Sequence, residues 1–411
     1  MSSGVPETKV LAIASHVVYG YVGNTMATFV MQSLGCEVSA INTVHFSNHT
    51  GYKQVKGRKT PAEEIQQLYE GLQQSLLNDF DVLLSGYIPS AEAVEEVGKI
   101  GRELKYNSAM KPGSFFWVLD PVMGDAGHLY VSEDVVPVYK SLLRHADLIL
   151  PNQFEAETLS DVKITDLSTL ATAIQTLHHS YQVPHIIITS IRLSKHSEKT
   201  IPGSYSTSAE GGPGEDEIMS VIGSTARSDH SPRLWRIDIP IYPVFFSGTG
   251  DMFAALTVAR LREAVFEAGI QNTARWQSPD DVEPTDLPLA KAAEKVLASM
   301  QAVLQDTYEF YKNAIPAIEA IDERTGEAME EKAIKKRDKL AYLRKTKAAE
   351  VRVVRNVASL INPPDVGNYR AVAVDVEFTK DEGDSQPGEL TVVNSGGGAD
   401  HGAVHTENDS R

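Results

Sequence analysis

Phe245-Phe246-Ser247-Gly248-Thr249-Gly250-Asp251-Met252-Phe253-Ala254-Ala255-Leu256 passes from an apolar run through two glycines into a helix-forming segment. A glycine pair lets the backbone approach an anion with no Cβ in the way. The first turn of the following helix offers that anion unpaired N–H groups and a partial positive charge. Asp251 stands where this helix begins, placed to accept a proton from an attacking hydroxyl. The plain alternative is a strand-to-helix turn, with glycine for geometry and aspartate for the helix dipole. A glycine-rich turn alone does not decide between the two.

Two upstream stretches carry matching chemistry. Phe115-Phe116-Trp117-Val118-Leu119-Asp120-Pro121-Val122-Met123-Gly124-Asp125 reads as a buried strand ending in an aspartate, with a second aspartate beyond a Pro and a Gly. Leu148-Ile149-Leu150-Pro151-Asn152-Gln153-Phe154-Glu155 is another short apolar strand, ending in Asn-x-x-Glu. The carboxylates of Asp120, Asp125 and Glu155 and the amide of Asn152 suit a hard cation such as Mg²⁺, which takes oxygen ligands and keeps several waters. Singly, Asp120 and Asn152 read equally well as turn caps and Glu155 as a solvated first-turn residue. Together with the glycine turn they favour phosphoryl transfer, where positioning and charge neutralisation supply most of the catalysis.

Short apolar strands alternate with amphipathic helices along the chain. Strands are expected at Val10–Ala14, Val38–Val44, Val82–Leu84, Phe116–Leu119, Leu148–Leu150 and Ile186–Thr189. Helices are expected over Asn24–Leu34 and from Pro61, with Pro at the first helical position. The alternation predicts an α/β domain with a mostly parallel sheet covered on both faces. Ligands of such sheets collect beyond the carboxyl ends of the strands, where Ser15, Ser85-Gly86-Tyr87, Asp120, Asn152 and Thr189-Ser190 fall. Residues 1–8 read as a flexible N-terminus and 9–376 as one catalytic domain. Within it, 194–233 reads as a polar mobile loop, 271–288 as an exposed insertion and 289–347 as an extended helical segment. Val351–Val374 alternates apolar residues and is expected to pack on the core. Glu377 to Arg411, with eight acids against Lys380 and Arg411, reads as a disordered acidic tail.

The formal charge of −17 argues against a nucleic-acid or anionic-membrane partner. The single cysteine, Cys36, excludes an intramolecular disulfide and reads as a small packing residue. No apolar run is long enough to span a bilayer and the start holds no apolar signal core, so a cytoplasmic location is expected.

The ordered motifs Asp120–Asp125, Pro151–Glu157 and Gly248–Asp251 resemble those of the ribokinase-like superfamily. Within it, Ser15-His16-Val17-Val18-Tyr19-Gly20-Tyr21-Val22-Gly23-Asn24 and Phe46-Ser47-Asn48-His49-Thr50-Gly51-Tyr52 are similar to the pyridoxal kinase family. The resemblance runs from about Lys9 to about Val374 and implies a ribokinase-like three-layer fold. It also implies a B6-vitamer substrate (pyridoxal, pyridoxine or pyridoxamine), ATP as co-substrate, Mg²⁺ or another divalent cation, K⁺ or Na⁺, and a homodimer. Asp251 would take the proton of the 5′-hydroxyl, and the amides of Gly248, Thr249 and Gly250 would hold the moving γ-phosphate. Ser15 and Thr50 would bond the ring's polar atoms, with Val22, Phe46 and Tyr87 flanking it. Asp125, Asn152 and Glu155 would hold the divalent ion, with Asp120 near the phosphates. Thr189 and Ser190 would contact the nucleotide, and Tyr130 would lie over the phosphates. Leu150 departs from the pattern, since some relatives carry there a hydroxyl able to bind the monovalent ion. Two alternatives remain: a hydroxymethylpyrimidine-type kinase of the same superfamily, and a non-catalytic carrier of pyridoxal phosphate.

Overall fold

The computed structural model describes residues 4–191, 218–323 and 331–375. The first strand, β1 (Lys9–Tyr19), explains the layering. Val10 and Ala12 point into one apolar cluster while Leu11 and Ile13 point into another, and all four are completely buried. A strand buried on both faces needs neighbours on both sides and helices above and below.

The chain supplies them in order. After β1 come α1 (Gly23–Ser33), β2 (Glu37–Asn48), β3 (Gly57–Lys59), α2 (Ala62–Gln74), β4 (Val82–Ser85) and α3 (Ala91–Asn107). Next are β5 (Phe116–Leu119), a small hairpin of β6 (Gly124–Asp125) and β7 (His128–Leu129), then α4 (Val135–Leu142) and β8 (Leu148–Ile149). They are followed by α5 (Gln153–Ser160), α6 (Leu167–Tyr181), β9 (His185–Ile191), β10 (Ile218–Thr225) and β11 (Leu234–Pro240). Four helices and a last strand complete the chain: α7 (Thr249–Glu267), α8 (Pro288–Glu323), α9 (Glu331–Ala348), α10 (Val357–Ile361) and β12 (Val372–Ala373).

The main sheet runs β12-β11-β10-β9-β8-β5-β4-β1-β2-β3. From β2 to β9 every neighbouring pair is parallel; β3 and β10–β12 add antiparallel edges. One cluster joins the sheet to α1, α7 and α8, the other to α2 through α6, so the three-layer α/β arrangement holds. Cys36 is buried and free, and burial pushes its thiol up to about 11.

Several expectations need correction. The polar loop expected over 194–233, interrupting an edge hairpin, does not extend that far: within it Ile218–Thr225 is a largely buried strand, antiparallel to both β9 and β11. What could remain of that loop, 192–217, lies outside the described residues. The segment 271–288 is not simply exposed, because Trp276 is buried and stacks on Phe116 at 4.0 Å between ring centroids. In the N-terminus, expected to be flexible, Val5 and Thr8 are buried. Pro61 caps α2 rather than occupying its first turn. The acidic tail lies outside the described residues. Val351, Val353 and Leu360 are buried as expected, whereas Val372 is half exposed on the outermost strand.

Candidate active site

The parallel register lines up the carboxyl ends of the strands. Gly86 N–H donates to Ile13 O, Asp120 N–H to Ser85 O, Leu150 N–H to Leu119 O and Thr189 N–H to Pro151 O, at 2.8–3.0 Å. Gly86-Tyr87, Asp120, Pro151-Asn152 and Thr189-Ser190 therefore follow one another along one edge, where ligands of such sheets sit. Ser15 does not end its strand as expected. β4 pairs with β1 only as far as Ile13, β2 accompanies it to Tyr19, and the register slips between Ala14 and His16. The bulge puts Ser15 at the same edge although β1 continues.

The glycine turn meets this edge from the other side. Gly248 has φ +85°, in the left-handed region, and a Cβ there would collide with the Tyr21 carbonyl and touch Val22 at 3.2 Å. Gly250 has open space around it. Thr249, Gly250 and Asp251 form the first turn of α7, so their amides face the opening with no helical partner. The Asp251 carboxylate accepts a hydrogen bond from the Gly23 amide at the start of α1. Burial pushes Asp251 up to about 6, with that bond opposing the rise. At neutral pH it is mainly the carboxylate, the form a base needs.

Asp120 is buried, and burial together with the charges of Glu155 and Asp251 holds its carboxyl well above the usual range. Burial also pushes Glu155 up to about 7. Its oxygens accept from the amides of Met123 (2.9 Å), Gly124 (3.3 Å) and Asn152 (2.9 Å). Asn152 completes the capping box of α5: its Oδ1 accepts from Glu155 N–H and its Nδ2 donates to Gly124 O at 2.7 Å. The plain reading holds for Asn152, which caps α5, but not for Glu155, expected as a solvated residue and found buried; the cap fixes its carboxylate at the edge.

Asp125 is exposed in the β6–β7 hairpin, its Oδ1 accepting from the Ala126 amide at 2.7 Å. Tyr130, 61 % exposed, sits where the charges of Asp125 and Glu155 reach its hydroxyl. Among the described residues no three carboxylate, imidazole or thiol groups converge on one point to form a metal cage. Leu150 is buried in the core, so its side chain takes no part in an ion site. Ser85 is also structural, fully buried and bonded to Trp117 Nε1–H at 2.9 Å.

On the acceptor side, the expected loop from Phe46 is half strand. β2 runs on to Asn48, with Phe46 paired to Val17 on one side and Gly57 on the other. Polar His45, Ser47 and Asn48 are tolerated because this end projects past the central strands. Thr50 then opens a single 3₁₀ turn, Thr50–Tyr52, and is exposed. The turn lies near the glycine turn: the position a Gly51 Cβ would take is 3.2 Å from Ser247 Oγ. Tyr87 is partly buried, and the Thr43 hydroxyl donates to its carbonyl at 2.7 Å.

Three residues escaped the sequence reading. Tyr139 is fully buried with its hydroxyl exposed to the charges of Asp120 and Glu155. His49 and Glu350 meet at 3.0 Å behind the Thr50 turn. The pairing of His49 and Glu350 has no signal in the sequence, since 301 positions separate them.

A family model described as phosphomethylpyrimidine kinase matches residues 26–209. Human pyridoxal kinase is 36% identical over 315 residues, covering 74% of this chain and 87% of the human one. The pig pyridoxal kinase is 39% identical over 320 residues, with coverage of 76% and 86%. Among solved structures, pyridoxal kinase from Leishmania donovani in complex with ADP and pyridoxamine superposes with a TM-score of 0.63. That match has 29% identity and covers 89% of this chain and 98% of the other. Identity at this level over most of both chains, on the same layered fold, settles the kinship: the chain belongs to the pyridoxal kinase family.

Proposed function

We propose that this protein transfers the γ-phosphate of ATP to the 5′-hydroxymethyl group of pyridoxal, pyridoxine or pyridoxamine, a B6 salvage reaction. The observation that carries the reading is Asp251. It is partly buried, mainly ionised at neutral pH, oriented by the Gly23 amide, and set one residue from amides able to hold a phosphoryl group.

In this reading Asp251 takes the 5′-hydroxyl proton as the oxygen bonds to phosphorus, and the amides of Gly248, Thr249 and Gly250 balance the charge that develops. Ser15 and Thr50 bond the polar atoms of the ring, and Val22, Phe46 and Tyr87 enclose it. Thr189, Ser190, Asn152 and Tyr130 line the nucleotide side. Burial disfavours the charged forms of Asp120 and Glu155, and the charge of Glu155 adds to the effect on Asp120, so a cation beside them would offset that cost. Asp120, Asp125 and Glu155 would hold Mg²⁺, partly through water, with K⁺ or Na⁺ nearby. Bound there, the divalent ion would neutralise phosphate charge. Mg²⁺ shares its shell with waters and phosphates, so it does not require a closed protein cage. A homodimer and a cytoplasmic location belong to the same reading; among the described residues no helix is long and apolar enough to cross a membrane.

A second reading, a kinase of hydroxymethylpyrimidine, has the phosphomethylpyrimidine kinase match over 26–209 in its favour. Coupled ATP-consumption assays with pyridoxal, with hydroxymethylpyrimidine and without acceptor separate the cases. Turnover with pyridoxal well above the other two is expected. Turnover only with hydroxymethylpyrimidine would establish the second reading. None with either, despite pyridoxal phosphate binding, would make the chain a carrier.

A further inference from the structure

The acceptor turn is not self-supporting. Thr50–Tyr52 is a single 3₁₀ turn whose backbone bonds are Tyr52 N–H to His49 O at 3.3 Å and Lys53 N–H to Thr50 O at 2.8 Å. It ends on Lys53 in the left-handed region at φ +55°. What holds it comes from the far end of the chain. Glu350, two residues beyond α9, accepts on Oε1 from the Tyr52 hydroxyl at 2.8 Å and lies 3.0 Å from His49 Nε2. Its Oε2 lies against Gly20, where the left-handed backbone (φ +101°) has no Cβ; one added there would lie 2.8 Å from the oxygen. One carboxylate thus bonds the turn bearing Thr50 and packs against the Gly20 turn, which leads to Val22 and Gly23.

Further contacts come from the same segment. The Tyr342 hydroxyl of α9 donates to Gly51 O at 2.6 Å, and Lys53 Nζ lies 4.4 Å from the centre of that tyrosine ring. The Glu350 side chain is 14 % exposed and that of His49 8 %, so water competes little for this contact. The other ring nitrogen, His49 Nδ1, is buried without a hydrogen-bond partner among the described residues and faces Gly51, 2.7 Å from where its Cβ would stand. A ring with one idle buried nitrogen is held from its other side, by Glu350.

We propose that Glu350 is a positioning residue for the acceptor half of the site, acting through His49 and Tyr52 to set the turn that carries Thr50. It touches neither substrate nor phosphate. This inference rests on the kinase reading and goes beyond it, since it makes the C-terminal segment part of acceptor recognition.

The test is steady-state kinetics and melting of the full chain as wild type, Glu350→Ala, Glu350→Gln and Tyr52→Phe. Glu350→Ala is expected to raise KM for pyridoxal about tenfold, as loss of a charge-assisted bond would, while KM for ATP stays within about twofold. Glu350→Gln, which can still accept from Tyr52, recovers part of the loss. Combining Glu350→Ala with Tyr52→Phe adds less than the sum of the two. Where Glu350→Ala melts early, the volume-conserving Gln and Phe variants decide by the same split. KM values for both substrates moving together, or neither moving, overturns the inference. Wild-type chain inert with pyridoxal and ATP overturns the kinase reading, and this inference with it; active wild type with no split in the variants overturns this inference alone.

Discussion

The half of the site assigned to phosphate and the half assigned to the acceptor are built in opposite ways. Asp120 and Asn152 follow short buried strands and Glu155 opens α5, where amides of Met123, Gly124 and Asn152 hold its carboxylate. The Asn152–Glu155 capping box is a four-residue device, and Gly248–Asp251 is a helix start. The acceptor half is assembled from the projecting end of β2, a bulge in β1, a 3₁₀ turn and a carboxylate from residue 350. The half assigned to phosphate rests on local devices, whereas the turn bearing Thr50 takes its contact from 301 positions away. Mutations in the first half are therefore expected to change turnover and metal dependence, and those in the second to change acceptor affinity.

The sharpest way to break that division is Asp251→Asn. Turnover is expected to fall about 10²–10⁴-fold, the usual cost of losing a general base. Calorimetry should still show ATP and pyridoxal binding. The pH profile gives a second check. A base held at about 6 is protonated and idle below that value, so wild-type kcat/KM should rise with pH through about 6. That acid limb should vanish from the residual activity of the variant. Wild-type turnover by Asp251→Asn would put the base elsewhere.

The contrast also explains what could be read from the sequence. Phe116–Leu119 was legible to the residue because four consecutive apolar side chains form a strand buried on both faces. β10 was missed because its sequence, Ile218-Met219-Ser220-Val221-Ile222-Gly223-Ser224-Thr225, mixes serine, glycine and threonine as a loop would. Tertiary partners override that composition. The Trp235 ring fills the space where a Gly223 Cβ would stand, Ser224 Oγ meets His178 Nε2 at 2.8 Å, and Thr225 Oγ1 meets His185 Nδ1 at 2.9 Å. The motifs assigned to the phosphate half can be picked out in the sequence because each is local. Glu350 was not, because a lone acid at the end of a mixed-charge helix carries no mark of its partner.

Metal dependence sharpens the comparison next. Asp120→Asn is expected to raise the Mg²⁺ concentration for half-maximal activity about tenfold, the value of roughly one charge-assisted contact. KM for pyridoxal should barely change. Glu155→Gln is a poorer probe, since its oxygens accept three amides and the change disturbs the α5 cap as well. Comparing melting temperatures separates the two effects. An unchanged Mg²⁺ titration for Asp120→Asn would remove that residue from the ion's surroundings.

Thr50→Val should act on the other half and more gently. Losing one neutral hydrogen bond costs about 1 kcal/mol, so KM for pyridoxal should rise severalfold with KM for ATP and the Mg²⁺ requirement unchanged. A change in Mg²⁺ requirement instead would mean that the two halves are not separable.

The smallest effect is expected from removing residues 377–411. The comparison assigns the C-terminal part of the chain two different duties, divided near residue 376. Glu350 reaches the acceptor turn, Val351, Val353 and Leu360 are buried, Arg370 pairs with buried Glu294 at 2.6 Å, and β12 closes the sheet edge. Cutting after Ala349 removes all of these and should cost both stability and acceptor affinity. Beyond Val376 the composition turns to eight acids with few apolar side chains, too little burial to offset the entropy of ordering them. Chain ending at Val376 should therefore melt and turn over like the full-length protein, within about twofold in rate, the scale of a surface change. Melting curves and initial rates of both truncations check this. A large loss on removing only 377–411 would mean that the acidic segment reaches the site, and the acceptor half would then owe its order to more of the chain than Glu350.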